Sequence, residues 1–319
     1  MDQRHVALVE SFDRAPHYRA VPDPKVPPGH EAVEVLAVGI HQVTRSVAAG
    51  RHYTSGDTMP FVAGVDAVVR RADGALAYVI VPDGGTMADR IVVDPQRLCP
   101  VPNGADPAAL AATMNPAMSS WMVLRERLAF TPGDDVLVVG ATGSAGSTAV
   151  AVARLLGAGR VVAAGRDQRR LAGLLEQGAD EVVRLEPDEE ATSAALARAA
   201  ADVDVVLDYV WGQTTELAMG AILRARRDPA RTLDWVHIGS VGGPTICLPG
   251  AALRSNALRL SGSGFGSVPA QAYARELPRL AAAISDGAFL VRPRTVPMSQ
   301  VEEAWAHIDA PGERTVLVP

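Results

Sequence analysis

The chain has 319 residues, a hydrophobic fraction of 48% and a formal charge of −6. That length holds two domains or one large one, and so apolar a chain fills its cores without disulfide staples. An acidic chain lacks the clustered positive charge that a nucleic-acid groove or an anionic membrane surface needs, so neither is expected as its main partner. Cys99 and Cys247 form no C-x-x-C pair, which leaves no disulfide framework or cysteine zinc site to read and points to the reducing cytoplasm. Met1-Asp-Gln-Arg-His-Val6 has no basic region leading into an apolar run, and no stretch nears the roughly 20 apolar residues of a membrane span. A soluble, non-exported protein is expected.

In chain order, short strands come first: Val6–Val9, Glu31–Ile40, Ala67–Arg71, Ala77–Val81 and Arg90–Val93. Pro22, Pro24, Pro27, Pro28, Gly74 and Gly84-Gly85 break them, as expected of a β-rich, barrel-like domain. From Asp106 the texture turns alanine-rich and helical, with Trp121–Leu128 closing on Thr131-Pro-Gly-Asp134 at the entry to a second domain. Apolar strands then alternate with helices: Val136–Val139, helix Ala145–Leu156, Arg160–Ala164, helix Gln168–Gln177 and Glu181–Leu185. The rhythm continues through helix Ala191–Ala200, Val203–Tyr209, helix Thr215–Leu223, Leu233–Ile238 and Leu258–Gly262. Fully apolar strands in repeated β–α units imply a parallel sheet covered on both faces. A helix over Ala270–Ser285 follows, and Val291–Val296 and Thr315–Val318 return to strand character, expected to pack back on the first domain.

Gly140, Gly143 and Gly146 follow a strand and open a helix. A turn bare of side chains there lets backbone N–H groups and the positive helix end meet a pyrophosphate, so Gly140, Thr142, Gly143, Ser144, Ala145 and Gly146 are expected to bind a dinucleotide. The spacing is G-x-x-G-x-x-G rather than G-x-G-x-x-G, and the alternative is a turn that packs a helix close to a sheet. No G-K-[ST] follows, which excludes a P-loop. Where an NAD-binding strand would end in an acidic residue, this one runs into Gly165-Arg166-Asp167-Gln-Arg169-Arg170. Glycine leaves room for a 2′-phosphate and the guanidinium of Arg166 or Arg170 can grip it, which favours NADPH. In the alternative, the arginines are a solvated helix start and Asp167 serves the ribose of NAD.

On Val38-Gly-Ile-His41, Pro60-Phe-Val-Ala-Gly-Val-Asp66, Gly85-Thr-Met-Ala-Asp89, Asn115-Pro-Ala-Met-Ser-Ser-Trp121, the Gly140–Gly146 turn, Leu207-Asp-Tyr-Val210 and Ile238-Gly-Ser240, the chain resembles the medium-chain dehydrogenase/reductase superfamily, in its zinc-independent quinone oxidoreductase-like branch. The resemblance implies an α/β fold: a doubly wound Rossmann domain over 119–287 and a GroES-like β-rich catalytic domain over 1–118 and 288–319. It also implies a homodimer, with Leu258–Gly262 a candidate edge strand. Zinc-using members place their ligands where this chain has His41, Val65 and Asn115; only His41 qualifies, and no functional metal is expected, although Asp66 adjoins Val65.

Without a metal, hydrogen-bond donors must stabilise charge on the acceptor oxygen. Tyr53 lies where relatives carry a substrate-facing tyrosine, against an alternative as an exposed loop residue. His41 replaces the family's usual asparagine and could donate or act as the acid, against an alternative as a satisfied, half-buried imidazole. Ser119, Ile238, Gly239, Ser240, Gly264 and Phe265 match cofactor-lining positions, or else ordinary packing. Three functions are compatible with these residues: NADPH-dependent reduction of quinones or activated double bonds in a small-molecule substrate, a specialised biosynthetic reductase or reductive cyclase, and a dinucleotide-binding redox sensor without turnover.

Overall fold

The computed structural model describes residues 3–319; Met1 and Asp2, which open the N-terminal stretch read above, lie outside them. The elements begin with β1 (Gln3–Val9), β2 (His17–Pro22), β3 (Glu31–Gly39), α1 (Gln42–Ala48), β4 (Phe61–Val62), β5 (Asp66–Arg70), β6 (Leu76–Ile80), β7 (Arg90–Val93), β8 (Cys99–Pro100) and α2 (Pro107–Met122). They continue with β9 (Val136–Val139), α3 (Ser144–Leu155), β10 (Val161–Gly165), α4 (Gln168–Glu176), β11 (Glu181–Arg184), α5 (Glu189–Ala200), β12 (Val205–Asp208), α6 (Gly212–Ala225), β13 (Leu233–His237), α7 (Gly250–Ser255) and β14 (Leu258–Gly262). The chain ends through α8 (Ala270–Ser285), β15 (Arg292–Pro297), α9 (Val301–Ala306) and β16 (Glu313–Val318). Two compact units result, one of residues 1–115 with 270–319 and one of 116–269.

The first unit holds two sheets, β2-β1-β4 and a seven-stranded sheet in the order β15-β16-β3-β5-β6-β8 with β7 also on β3. The C-terminal strand closes onto the N-terminal segment, since β16 runs antiparallel to β3 with Val316 opposite Gly39 and Leu317 opposite Val38. Val6, Val35, Val69, Val79 and Met87 form its core. The Ala270–Ser285 helix belongs to this unit, whereas the sequence reading set the boundary at 287/288. Its buried stripe of Ala272, Leu277, Leu280 and Ala281 packs beside β8, a tertiary choice that helical periodicity does not encode.

The second unit is one parallel sheet in the order β11-β10-β9-β12-β13-β14, so the chain reverses direction between β9 and β12 and β14 is an edge. Val136–Val139 is wholly buried. Leu137, Val162, Val206 and Trp235 cluster with Leu196, Met219 and Ile222 of α5 and α6. By strand alternation, Val136 and Val138 serve the opposite face. Ligands of open α/β sheets bind at the carboxyl ends of the strands beside such a reversal.

Local chemistry explains what periodicity did not show. Strand β2 pairs with β1 along a mostly exposed face that ends in Pro22, so it carries no apolar alternation. Helices α1, α7 and α9 are each two turns or less, too short for a 3.6-residue pattern to register. Among the described residues, no helix is long and apolar enough to cross a membrane.

Asp208, fully buried at the end of β12, organises the carboxyl edge of the second unit. Its Oδ1 accepts from the N–H groups of Val210 (2.9 Å) and Trp211 (3.0 Å); its Oδ2 accepts from Thr215 Oγ1 (2.6 Å) and Trp235 Nε1 (2.9 Å). Removing an acceptor strands buried donors at about 1–3 kcal/mol each. Asp208→Ala is therefore expected to lower the unfolding free energy by roughly 3–5 kcal/mol, measured by urea denaturation, and Asp208→Asn by less, because its carbonyl still accepts.

Candidate functional site

The candidates fall into two groups, one in each unit. In the second unit, Gly140 follows β9 at φ +86°, a left-handed conformation that glycine adopts without strain. The N–H groups of Gly140 and Ala141 both donate to the Ala164 carbonyl at 2.9 Å, and Gly143 N–H donates to the Gly140 carbonyl at 3.0 Å. This folds the turn back on β10. A Cβ at Gly146 would stand 2.3 Å from the Gly140 carbonyl oxygen, so only glycine lets α3 start this close to the strand. Gly143 caps α3 with no side-chain hydrogen bond, leaving the first N–H groups of a 12-residue helix, those of Ser144, Ala145 and Gly146, without intrahelical acceptors. Backbone donors left open at a helix N-terminus can accept an anionic group such as a phosphate.

At the end of β10 the structure revises the reading of Gly165. A Cβ there would lie 2.6 Å from Thr142 Cγ2 and 2.8 Å from its Oγ1, so the space over Gly165 is filled by the side chain of Thr142 rather than left open. Asp167 caps α4: its Oδ1 accepts from Arg170 N–H at 3.0 Å, and its Oδ2 lies 3.5 Å from Arg170 Nε. Arg170 reaches back to the Thr142 carbonyl at 3.2 Å, tying α4 to the glycine turn. Arg166 is exposed, and its guanidinium has no hydrogen-bond or ion-pair partner among the described residues. Of the charged groups here, Asp167 and Arg170 are committed to structure, while Arg166 at the strand end and Arg169 have no partner among the described residues.

The loops after β12 and β13 interlock. The N–H groups of Ile238 and Gly239 donate to the Asp208 carbonyl at 2.7 and 3.2 Å, and a Cβ on Gly239 would meet the Tyr209 carbonyl at 2.9 Å. Ser240 Oγ lies 2.9 Å from His237 Nε2, and the His237 ring sits 4.3 Å from that of Trp211, whose φ of +59° is unusual for a bulky residue. Burial pushes the His237 imidazole below its ordinary value, with Asp208 opposing. Gly264 opens a tight turn in which its N–H donates to Ser267 Oγ at 2.9 Å, and Phe265 follows within it. Ser119 Oγ donates to the Pro116 carbonyl and hydrogen-bonds the Tyr209 hydroxyl, each at 2.8 Å.

In the first unit, His41 begins α1, Asp66 begins β5, Tyr78 lies on β6 and Asn115 on α2. Asp66 is fully buried; its Oδ2 accepts from Tyr78 OH at 2.8 Å and its Oδ1 from Asn115 Nδ2 at 3.2 Å. His41 Nε2 stands 3.7 Å from Asp66 Oδ2. His41 is 3% exposed and both ring nitrogens lack a hydrogen bond, so the alternative of a satisfied, half-buried imidazole does not hold. A Cβ on Gly39 would come within 2.2 Å of His41 Nε2, which is why bare backbone precedes it. Burial and the nearby Asp66 charge drive the Tyr78 phenol well above its ordinary value. Val65, also buried, carries no donor atom toward this cluster. Tyr53 is 69% exposed on the loop after α1, with its ring 4.2 Å from that of His52.

Sequence reasoning set His41 and Asp66 together only as positions at or beside the family's zinc ligands, and it gave no role to Tyr78 or Tyr209. Tyr78 sits in a strand whose alternation reads as plain core. A polar residue within an apolar run, as in Leu207-Asp-Tyr-Val210, was the one available signal.

With this geometry in view, comparison with known proteins identifies the lineage. The family model described as zinc-binding dehydrogenase matches residues 145–282, a stretch that does not include His41, Val65 or Asn115. The Emericella nidulans protein named Probable NADPH-dependent quinone reductase tdiC is 32% identical over 365 residues, spanning 99% of this chain and 100% of that protein. The quinone oxidoreductase from Thermus thermophilus, solved also in complex with NADPH, superposes with a TM-score of 0.75 at 25% identity, covering 99% of this chain and 100% of that one. A mycobacterial protein solved with NADPH shares the fold at a TM-score of 0.80 and 19% identity, with 99% and 100% covered. The chain belongs to the medium-chain dehydrogenase/reductase superfamily, in its quinone oxidoreductase-like branch.

One consequence of the Tyr209 environment is measurable. Burial pushes its phenol up to about 12, with the Ser119 and Ser120 hydrogen bonds opposing, whereas an unfolded tyrosine ionises near about 10. The unfolded state therefore loses a proton that the folded state keeps, and stability falls as pH rises from about 10 toward 12. Tyr209→Phe is expected to flatten part of that alkaline slope, read as the urea midpoint against pH, with Tyr78, Tyr18, Tyr273 and Cys99, all raised by burial, contributing the rest.

Proposed function

We propose that the chain is a zinc-independent, NADPH-dependent oxidoreductase that reduces quinones or electron-poor carbon–carbon double bonds of small molecules. The observation that carries the reading is the pairing of a bare glycine cradle with an uncommitted Arg166 at the end of β10, where Asp167 is already spent as a helix cap. The N–H groups of Ser144, Ala145 and Gly146 would hold the pyrophosphate, and Gly140, Thr142 and Gly143 shape their approach. Arg166 would take the 2′-phosphate through charge-assisted hydrogen bonds, while Arg170 and Gly165 hold the turn in place. The loops at Ile238, Gly239, Ser240, Gly264 and Phe265, with Ser119, would line the rest of the cofactor. NADPH, when bound, supplies the hydride, and the protein supplies alignment and charge stabilisation.

The donor set supports the absence of a zinc role. A catalytic zinc takes three protein ligands around an open position, and the family positions here offer one imidazole, a valine and an amide already bonded to Asp66. Asp66 itself is engaged by Tyr78 and Asn115. In place of a metal, the developing charge on the substrate oxygen would be met by N–H and O–H donors, with His41 and Tyr53 the candidates in the first unit.

Two measurements test this reading. Arg166→Ala is expected to weaken NADPH binding by roughly 10- to 100-fold and leave NADH within about twofold, read by isothermal titration, as loss of a charged hydrogen-bond pair implies; equal losses for both cofactors would remove the 2′-phosphate role. The purified protein, with no added metal and after chelator treatment, is expected to oxidise NADPH against members of a panel of quinones, enones and enoyl thioesters. Tight NADPH binding with no oxidation across that panel would make it a non-catalytic dinucleotide binder instead.

A further inference from the structure

A strand that serves NAD ends in an acidic residue whose carboxylate bonds the ribose hydroxyls, whereas β10 ends in Gly165. A Cβ on Gly165 would stand 2.6 Å from Thr142 Cγ2, 2.8 Å from its Oγ1 and 3.2 Å from its Cβ. Side-chain rotation does not clear that space. The two γ-atoms of a threonine fill two of its three staggered positions, and here both filled positions face Gly165, so either other rotamer leaves one of them in place.

Neither backbone can retreat from the contact. The Thr142 carbonyl accepts from Arg170 Nη1 at 3.2 Å, and the turn around it is held by Gly140 and Ala141 on the Ala164 carbonyl and by Gly143 on the Gly140 carbonyl. Gly165 lies within the parallel ladder opposite Arg184, and its carbonyl accepts from Leu185 N–H at 2.8 Å. The Thr142 hydroxyl, by contrast, is uncommitted. Thr142 is half-buried, and among the described residues its Oγ1 has no hydrogen-bond partner, which leaves a donor open at the strand end.

We propose that Thr142 is a specificity-determining residue for NADPH over NADH, excluding a ribose-binding carboxylate from position 165 and donating a hydrogen bond from its own hydroxyl to the 2′-phosphate. The inference rests on the cofactor reading above and deepens it. A phosphate offers only acceptor oxygens, which a hydroxyl and a guanidinium both satisfy. The free ribose of NADH gains most from a carboxylate, and the γ-atoms of Thr142 keep that carboxylate out. Arg166 is exposed and brings charge on a long stem; Thr142 is short, β-branched and anchored through its backbone, so it supplies the fixed half of the discrimination.

The test uses the full-length protein, titrated calorimetrically with NADPH, NADH and the fragment 2′,5′-ADP, with thermal melting of each unliganded variant. Thr142→Val keeps both γ-atoms and loses the hydroxyl; it is expected to weaken NADPH and 2′,5′-ADP by about tenfold, leave NADH within about twofold and melt like the wild type. Gly165→Asp alone is expected to lower the melting temperature and bring no gain for NADH. Combined with Thr142→Ala, which leaves only the 3.2 Å Cβ contact to relax, it is expected to regain much of that melting temperature and bind NADH about tenfold more tightly than the wild type. Unchanged NADPH affinity in Thr142→Val overturns the proposal, even if Gly165→Asp folds poorly. So does NADH binding by Gly165→Asp as tight as that of the double variant, or a folded double variant with no gain for NADH. A wild type that prefers NADPH while its Thr142 variants keep that preference removes Thr142 and leaves the cofactor reading standing; a wild type that binds both cofactors alike and ignores 2′,5′-ADP removes both.

Discussion

The start of α3 over the parallel sheet depends on the close approach of two glycines: a Cβ on Gly146 would stand 2.3 Å from the Gly140 carbonyl oxygen. Because neither residue brings a side chain, α3 begins directly over the turn; an alanine at Gly146 would collide with the Gly140 carbonyl. The same edge is tightened by Thr142 lying over Gly165 and by the bare backbones of Gly212, Gly239 and Gly242 in the neighbouring loops. Close approach of backbone to backbone is thus the recurring device, and glycine is the residue that permits it.

Asp208 and Asp66 are both fully buried carboxylates, one in each unit, and the two have different characters. Asp208 has four donors and no free capacity, so its work is architectural: it gathers the loop after β12, the start of α6 and the Trp235 indole around one charge. Asp66 has a hydrogen bond on each oxygen and, beside it, an imidazole just beyond hydrogen-bond distance. A buried carboxylate facing an unsatisfied ring is costly to keep for stability alone.

The comparisons and the geometry converge from different directions. Lineage comes from similarity spread over nearly the whole length of a curated relative, while the charges at the end of β10 concern this chain's own residues. Asp167 illustrates why the second kind of observation matters. In sequence it is an acidic residue near a strand end, suited to a ribose; in the fold it is the cap of α4, bonded to Arg170. The choice between two ligands turned on which hydrogen bonds were already made.

Strands Val136–Val139, Arg90–Val93 and Leu258–Gly262 and the helix Ala270–Ser285 were legible residue for residue, because apolar runs and helical periodicity are local properties. The glycine turn was legible for the same reason, since a strand, three glycines and a helix lie within a dozen positions. His17–Pro22 was not, because an edge strand is held by main-chain bonds that any side chains allow. The Asp66 cluster was legible only in part: the resemblance grouped positions 41, 65 and 115 with Asp66 adjoining, but that Asp66 takes hydrogen bonds from Tyr78 and Asn115 appears only when β5, β6 and α2 come together. The chain's own letters determined its two textures and its glycine turn, and the family resemblance located the positions, here His41, Val65 and Asn115, where zinc ligands would stand. The tertiary structure alone decided that Ala270–Ser285 joins the first unit, that Arg166 rather than Asp167 is free, and that Asp66 faces His41, because partnership and burial are set by segments far apart in sequence.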